Sequence, residues 1–177
     1  MPILDEHIVL VGLMGAGKTS VGRQLAQQLS LKFVDTDQEI EYAAGLGVSD
    51  IFEIYGEESF RALEEKVIKR VLKDPAPTVI ATGGGAYLSK KTRQNIKKYG
   101  VSFWLKADLD MLMSRIATTA HRPLLQRGNR RETLKKMIEV RYPIYGEADF
   151  TIDVDESSAR QMAQKIRKAL KTSLEQG

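Results

Sequence analysis

A lysine and a threonine close a glycine-rich octapeptide, Gly12-Leu13-Met14-Gly15-Ala16-Gly17-Lys18-Thr19, that matches G-x-x-x-x-G-K-[ST] in full. Each part answers a need of a polyphosphate. Glycines let the backbone wrap closely around phosphate oxygens, because they reach positive φ and carry no Cβ. Successive amides then form an anion nest, reinforced by the N-terminus of a following helix. Lys18 would bring a point charge to the β and γ phosphates, and the Thr19 hydroxyl is suited to Mg²⁺. The expected nucleotide contacts are Gly15, Ala16, Gly17, Lys18, Thr19 and Ser20. A dinucleotide fingerprint starting at Gly15 fails, since it needs glycine where Ser20 stands. The chain is therefore expected to bind a nucleoside triphosphate.

Further chemistry follows the next two apolar segments. Asp35-Thr36-Asp37 places two carboxylates one residue apart. One could support Mg²⁺ while the other meets an acceptor hydroxyl, or either could cap a helix starting near Gln38. Thr82-Gly83-Gly84-Gly85 has no acidic residue of the Walker B kind. Three consecutive glycines cost backbone entropy, so they signal either close approach to a ligand or a flexible turn. Any metal would then take its acidic support from Asp35. Neither an Asp-x-x-Gly switch after the third apolar segment nor an Asn-Lys-x-Asp base reader occurs, which argues against a GTPase. A small-molecule or nucleotide kinase fits better.

These residues must be held by a frame that the periodicity outlines. Ile8-Val9-Leu10-Val11 reads as a strand buried on both faces, and Val21, Leu25 and Leu29 mark one stripe of the next helix. Lys32–Asp35, Thr78–Ala81, Val101–Leu105 and Phe150–Val154 read as further strands. Helices are expected over Asp37–Asp74, broken near Gly45-Leu46-Gly47 and at Gly56, over Lys90–Lys98, Asp108–Ile116 and Ser157–Leu170. Such alternation implies a parallel sheet with helices on both faces and a ligand beyond the carboxyl ends of the strands. From Arg115 to Lys136 the chain carries seven Lys/Arg residues and one acid, Glu132, which reads as a basic loop able to close over nucleotide.

Composition bounds the class. The 177 residues, 42% hydrophobic and 28% charged, suit one globular domain. A net charge of +4 suits a site for anions without announcing a nucleic-acid binder, and no aromatic residues interleave with the basic stretch. Cysteine is absent and His7 and His121 are the only imidazoles, which removes thiol chemistry and makes a structural zinc site untenable. The opening residues lack the basic region of a secretory signal and the first apolar run is too short to span a bilayer, so a cytoplasmic location is expected.

Taken in order, the phosphate loop, Asp35-Thr36-Asp37, Phe60-Arg61 with Glu64, Gly83-Gly84-Gly85, Arg122-Pro123-Leu124-Leu125 and Arg141-Tyr142-Pro143-Ile144-Tyr145 resemble the shikimate kinase family over nearly the whole chain. The resemblance implies an α/β fold of the P-loop nucleoside monophosphate kinase-like kind, a three-layer sandwich with a five-stranded parallel sheet and a mobile lid. It implies one kinase domain over 1–177, with a substrate-binding helical region at about 37–62 and the lid at about 117–131. ATP, Mg²⁺ and shikimate are the implied ligands, with no nucleic acid, no membrane and a monomeric chain. Lys18, Asp37 and Arg122 would be catalytic, and Thr19 and Asp35 would hold the metal. Arg115 would lie near the adenine, Arg61 and Arg141 would clamp the substrate carboxylate, and Asp37 with the Gly83-Gly84-Gly85 backbone would hold ring hydroxyls. Guanidinium forks suit a carboxylate, although Arg61 could instead pair with Glu57, Glu58, Glu64 or Glu65 on its own helix. A kinase for a neutral or differently placed acceptor would not require both arginines. The segment after the last strand, Asp153–Ala159, lacks the proline common in the family, which leaves its contact with the base undefined.

Overall fold

The computed structural model describes residues 4–116 and 129–177. Arg122, His121 and all but the last three residues of the expected lid lie outside the described residues. Strand β1 (His7–Val11) is buried at every position, as its unbroken apolar run demands of a strand covered on both faces. It joins β2 (Lys32–Asp35), β3 (Thr78–Ala81), β4 (Gly100–Lys106) and β5 (Phe150–Asp153) in one parallel sheet of order β2-β3-β1-β4-β5.

The helices are α1 (Lys18–Leu29), α2 (Thr36–Ala44), α3 (Val48–Leu72), α4 (Lys90–Tyr99), α5 (Leu109–Ile116), α6 (Arg130–Tyr145) and α7 (Ala159–Gln176). The β1–β2 crossover runs along the sheet in one direction, and the β2–β3 and β3–β4 crossovers run in the other. Right-handed connections therefore put α1 on one face and α3 and α4 on the opposite face. The packing agrees: α7 lies on α1, and α3 lies on α4. Because β1 and β3 are neighbours whose connections leave toward opposite faces, a crevice opens beyond their carboxyl ends. No helix among the described residues is long and apolar enough to cross a membrane.

Sequence expectations for the strands hold to within a residue at each end, and both breaks in the long helical region are real. Gly45 caps α2 in the left-handed region, and Gly56 (φ 84°, ψ 170°) kinks α3. A second, smaller core of Ile40, Ile51, Phe60 and Val67 ties α2 to α3.

One expectation needs correcting. The basic stretch ending at Lys136 is not a loop at its described ends: Arg115 belongs to α5, and Arg130 to Lys136 form the opening turns of α6, capped by the Asn129 side chain. The buried residues of α6 are Leu134, Arg141 and Tyr145, only one of them aliphatic, and Pro143 sits inside the helix. An apolar period is thus nearly absent, and an interior proline reads as a breaker.

His7 fastens the sheet to the end of α3. Its Nε2–H donates to the carbonyls of Leu72 (3.1 Å) and Asp74 (3.0 Å), while Nδ1 accepts from the Thr78 amide (3.2 Å). The ring is 4% exposed, so it is a structural histidine with both nitrogens used. Replacement His7→Phe strands a buried amide and carbonyl, and should lower unfolding stability by about 2 kcal/mol, read as a reduced urea midpoint at unchanged slope.

Candidate active site

The phosphate loop is a strand-to-helix turn whose glycines are needed where they stand. Gly15 (φ 83°) and Gly17 (φ 95°) occupy the left-handed region. Gly17 is the N-cap of α1 and no side chain caps that end, which leaves helix amides to meet an anion. Lys18 is buried, and its Nζ donates to the carbonyls of Gly12 and Leu13 (2.9 Å to the latter), so the ammonium is held inside the loop. Arg115 reaches back from α5 and donates through Nη1 to the carbonyls of Ala16 (3.2 Å) and Gly15 (3.4 Å).

Of the roles that its sequence position left open, Asp35 takes the helix cap, and its second oxygen meets the phosphate loop. Its Oδ1 caps α2 by accepting from the amides of Asp37 (2.9 Å) and Gln38 (3.4 Å), and its Oδ2 accepts from the Thr19 hydroxyl at 3.0 Å. A hydroxyl and a carboxylate oxygen are thus side by side at the mouth of the loop, hard donors of the type Mg²⁺ takes. Among the described residues no cluster of three or more His, Asp or Glu is arranged to hold a metal, so phosphate oxygens and water would complete such a sphere.

Asp37 and the glycine triplet form the partition between two cavities. The first, about 440 Å³, runs from the phosphate loop past Asp35 and Arg115 to Val154, Ser157 and Met162. The second, about 490 Å³, is lined by Arg61, Arg141, Glu64, Phe52 and Phe60 among others. Met14, Asp37, Gly83 and Gly84 belong to both. A Cβ on Gly83 would come within 2.6 Å of Asp37 Oδ1, and one on Gly85 would overlap the Arg61 guanidinium. The triplet is thus packed closely against side chains of both cavities.

Arg61 does pair on its own helix, with Glu64 Oε1 at 2.8 Å and more loosely with Glu57 at 3.7 Å, yet it also faces the second cavity. Arg141 is 7% exposed and its Nη1 has no hydrogen-bond partner among the described residues. A buried cationic donor of this kind suits an anionic group. Sequence reasoning missed Phe52 as a wall of the second cavity and Met162 at the far end of the first, because apolar residues of ordinary core type carry no local signal of exposure to a ligand; Met14 and Phe60 were seen only as parts of motifs, and Val154 and Ser157 only within the segment after β5. Ser20 lines the first cavity, and Arg122 lies outside the described residues.

Comparison with known proteins decides what kind of site this is. A family profile described as shikimate kinase matches residues 14–171. Shikimate kinase from Bartonella quintana is 51% identical over 164 residues, covering 92% of this chain and 78% of the relative, and that from Rhizobium leguminosarum bv. trifolii is 47% identical, covering 94% and 84%. The solved structure of shikimate kinase from Acinetobacter baumannii in complex with shikimate superposes with a TM-score of 0.92 at 38% identity, covering 95% of this chain and 94% of that one. The chain belongs to the shikimate kinase family. It is accordingly an ATP-dependent phosphotransferase, and the five-stranded parallel sheet flanked by helices that the resemblance implies is observed.

In this family member the second cavity holds a buried acid, Glu64. It is 2% exposed, and loss of water raises its pKa above the ordinary glutamate value; the adjacent Arg61 guanidinium opposes the rise, while Asp37 adds to it. A carboxyl whose folded pKa lies above its unfolded value makes folding less favourable as pH climbs from the unfolded value through the folded one. Glu64→Gln keeps an acceptor for Arg61 and removes that titration. The stability of the variant relative to wild type should therefore grow between about pH 4 and pH 7, measured as the difference in urea midpoints. A constant difference across that range would contradict the burial effect.

Proposed function

We propose that this chain transfers the γ-phosphoryl group of ATP to the 3-hydroxyl of shikimate, giving ADP and shikimate 3-phosphate in the route to chorismate and aromatic amino acids. What carries the reading is the partition: one cavity holds the phosphate loop, the other holds two arginines, and Asp37 lies between them. Phosphoryl transfer requires the acceptor oxygen in line with the γ phosphorus and charge neutralised around it. Arg61 and Arg141 bind the substrate carboxylate, which fixes the ring, and Asp37 with the Gly83–Gly85 backbone holds its hydroxyls.

Asp37 orients the 3-hydroxyl and takes its proton as the new O–P bond forms and the bond from γ phosphorus to the β–γ bridging oxygen breaks. Lys18 leaves its loop carbonyls for the phosphate oxygens, with Arg122 from the lid at about 117–131 adding positive charge. Mg²⁺, held through Thr19 and Asp35, would neutralise β and γ oxygens. Arg115, which lines the first cavity, lies near the adenine. The chain acts as a single kinase domain over 1–177, with about 37–62 as the acceptor region, and works as a cytoplasmic monomer that engages neither nucleic acid nor membrane.

Two measurements test the assignment. Asp37→Asn should reduce kcat by about 10² to 10⁴-fold while calorimetric affinity for ATP stays near wild type; turnover close to wild type would remove Asp37 from the reaction. Titration of shikimate into Arg61→Ala and Arg141→Ala should show binding weakened by roughly 10 to 100-fold in each. If either binds as wild type does, the carboxylate clamp is misassigned.

A further inference from the structure

Beneath the acceptor cavity lies a buried phenol that the reading above does not use. Tyr145 is the last residue of α6, fully excluded from solvent, and one helical turn beyond Arg141, so the two side chains share a face. Its hydroxyl donates to the carbonyl of Gly84, and the Arg141 guanidinium stands beside the same glycine. A phenol has one proton to give, and here it goes to Gly84. The ring cannot swing away: it packs against Trp104 (5.9 Å between centroids), Tyr142 (6.1 Å) and Tyr87 (6.4 Å).

Both neighbours of the phenol bear on the cavities. Arg141 retains an Nη1 with no partner among the described residues, 3.5 Å from where a Cβ on Gly84 would stand. The Gly84 backbone in turn lies in the partition between the cavities. Burial raises the Tyr145 pKa to about 12, so the hydroxyl remains a neutral donor at physiological pH.

We propose that Tyr145 is a positioning residue of the acceptor site, its hydroxyl holding the Gly84 carbonyl beside the Arg141 guanidinium and so keeping both in place before substrate arrives. The role rests on Arg141 acting as the carboxylate clamp. Its benefit is preorganisation: the fork need not be ordered at the moment of binding. The neighbouring phenol supplies the control, since Tyr142 packs in the same ring cluster but donates to the Ala107 carbonyl.

Steady-state kinetics of Tyr145→Phe and Tyr142→Phe, with each substrate varied in turn, separate positioning from support. Tyr145→Phe retains the ring and its contacts, and thermal midpoints verify that both variants are folded. The expected result is a rise in the shikimate KM of about tenfold for Tyr145→Phe alone, with its ATP KM and kcat near wild type. An unchanged shikimate KM, or equal changes in both KM values matched by Tyr142→Phe, would overturn the proposal. The double variant Arg141→Lys/Tyr145→Phe should show non-additive losses; additive ones would also overturn it. Calorimetry on Arg141→Ala discriminates the underlying reading: wild-type affinity there defeats the clamp itself, whereas lost affinity beside a normal Tyr145→Phe defeats only the role of the phenol.

Discussion

The active centre exists because three successive positions carry no side chain. Residues 83–85 lie where the phosphate loop, the segment after β2, the kinked helix α3 and the end of α6 all converge. At Gly83 the space for a Cβ is taken by Asp37 and Glu64, at Gly84 the Met14 amide is 3.4 Å away, and at Gly85 the Arg61 guanidinium fills it. A larger residue at 83 or 85 would displace Asp37 and Glu64 or Arg61 from their present positions. In-line transfer does not tolerate such a displacement.

Around that backbone the electrostatics are arranged as opposed pairs in little water. Glu64, nearly inaccessible, is held beside Arg61, and the guanidinium is braced in turn by the rings of Phe60 at 5.2 Å and Phe52 at 5.9 Å. A buried acid so close to the acceptor cavity is costly by itself. Its effect is to restrict the reach of Arg61 to one direction. Arg141 is placed differently, buried one helical turn from the neutral Tyr145 phenol and beside Gly84.

The sequence was informative where chemistry is local. The phosphate loop needs contiguous residues, and its glycines, lysine and threonine are therefore visible as a string; the strands on either side of it are visible because full burial on both faces demands unbroken apolar runs. Asp35 and Asp37 were recognisable as special, although the division of labour between them emerges only when Thr19 is seen 3.0 Å from Asp35. Helix α6 was hidden, because its buried face consists of a leucine, an arginine and a tyrosine. The choice of Glu64 over Glu58 and Glu65 as main partner of Arg61 depends on which face of α3 turns inward. The link from Tyr145 to Gly84 spans 61 residues and leaves no trace in either segment alone.

The common wall of Met14, Asp37, Gly83 and Gly84 has a consequence for ligand design. Two fragments, one for each cavity, need only a short tether across Asp37 to be joined. Once the first is seated, the second samples its cavity at an effective concentration of the order of millimolar or above, and the wall that aligns two substrates for reaction becomes the bridge by which a single inhibitor occupies both chambers.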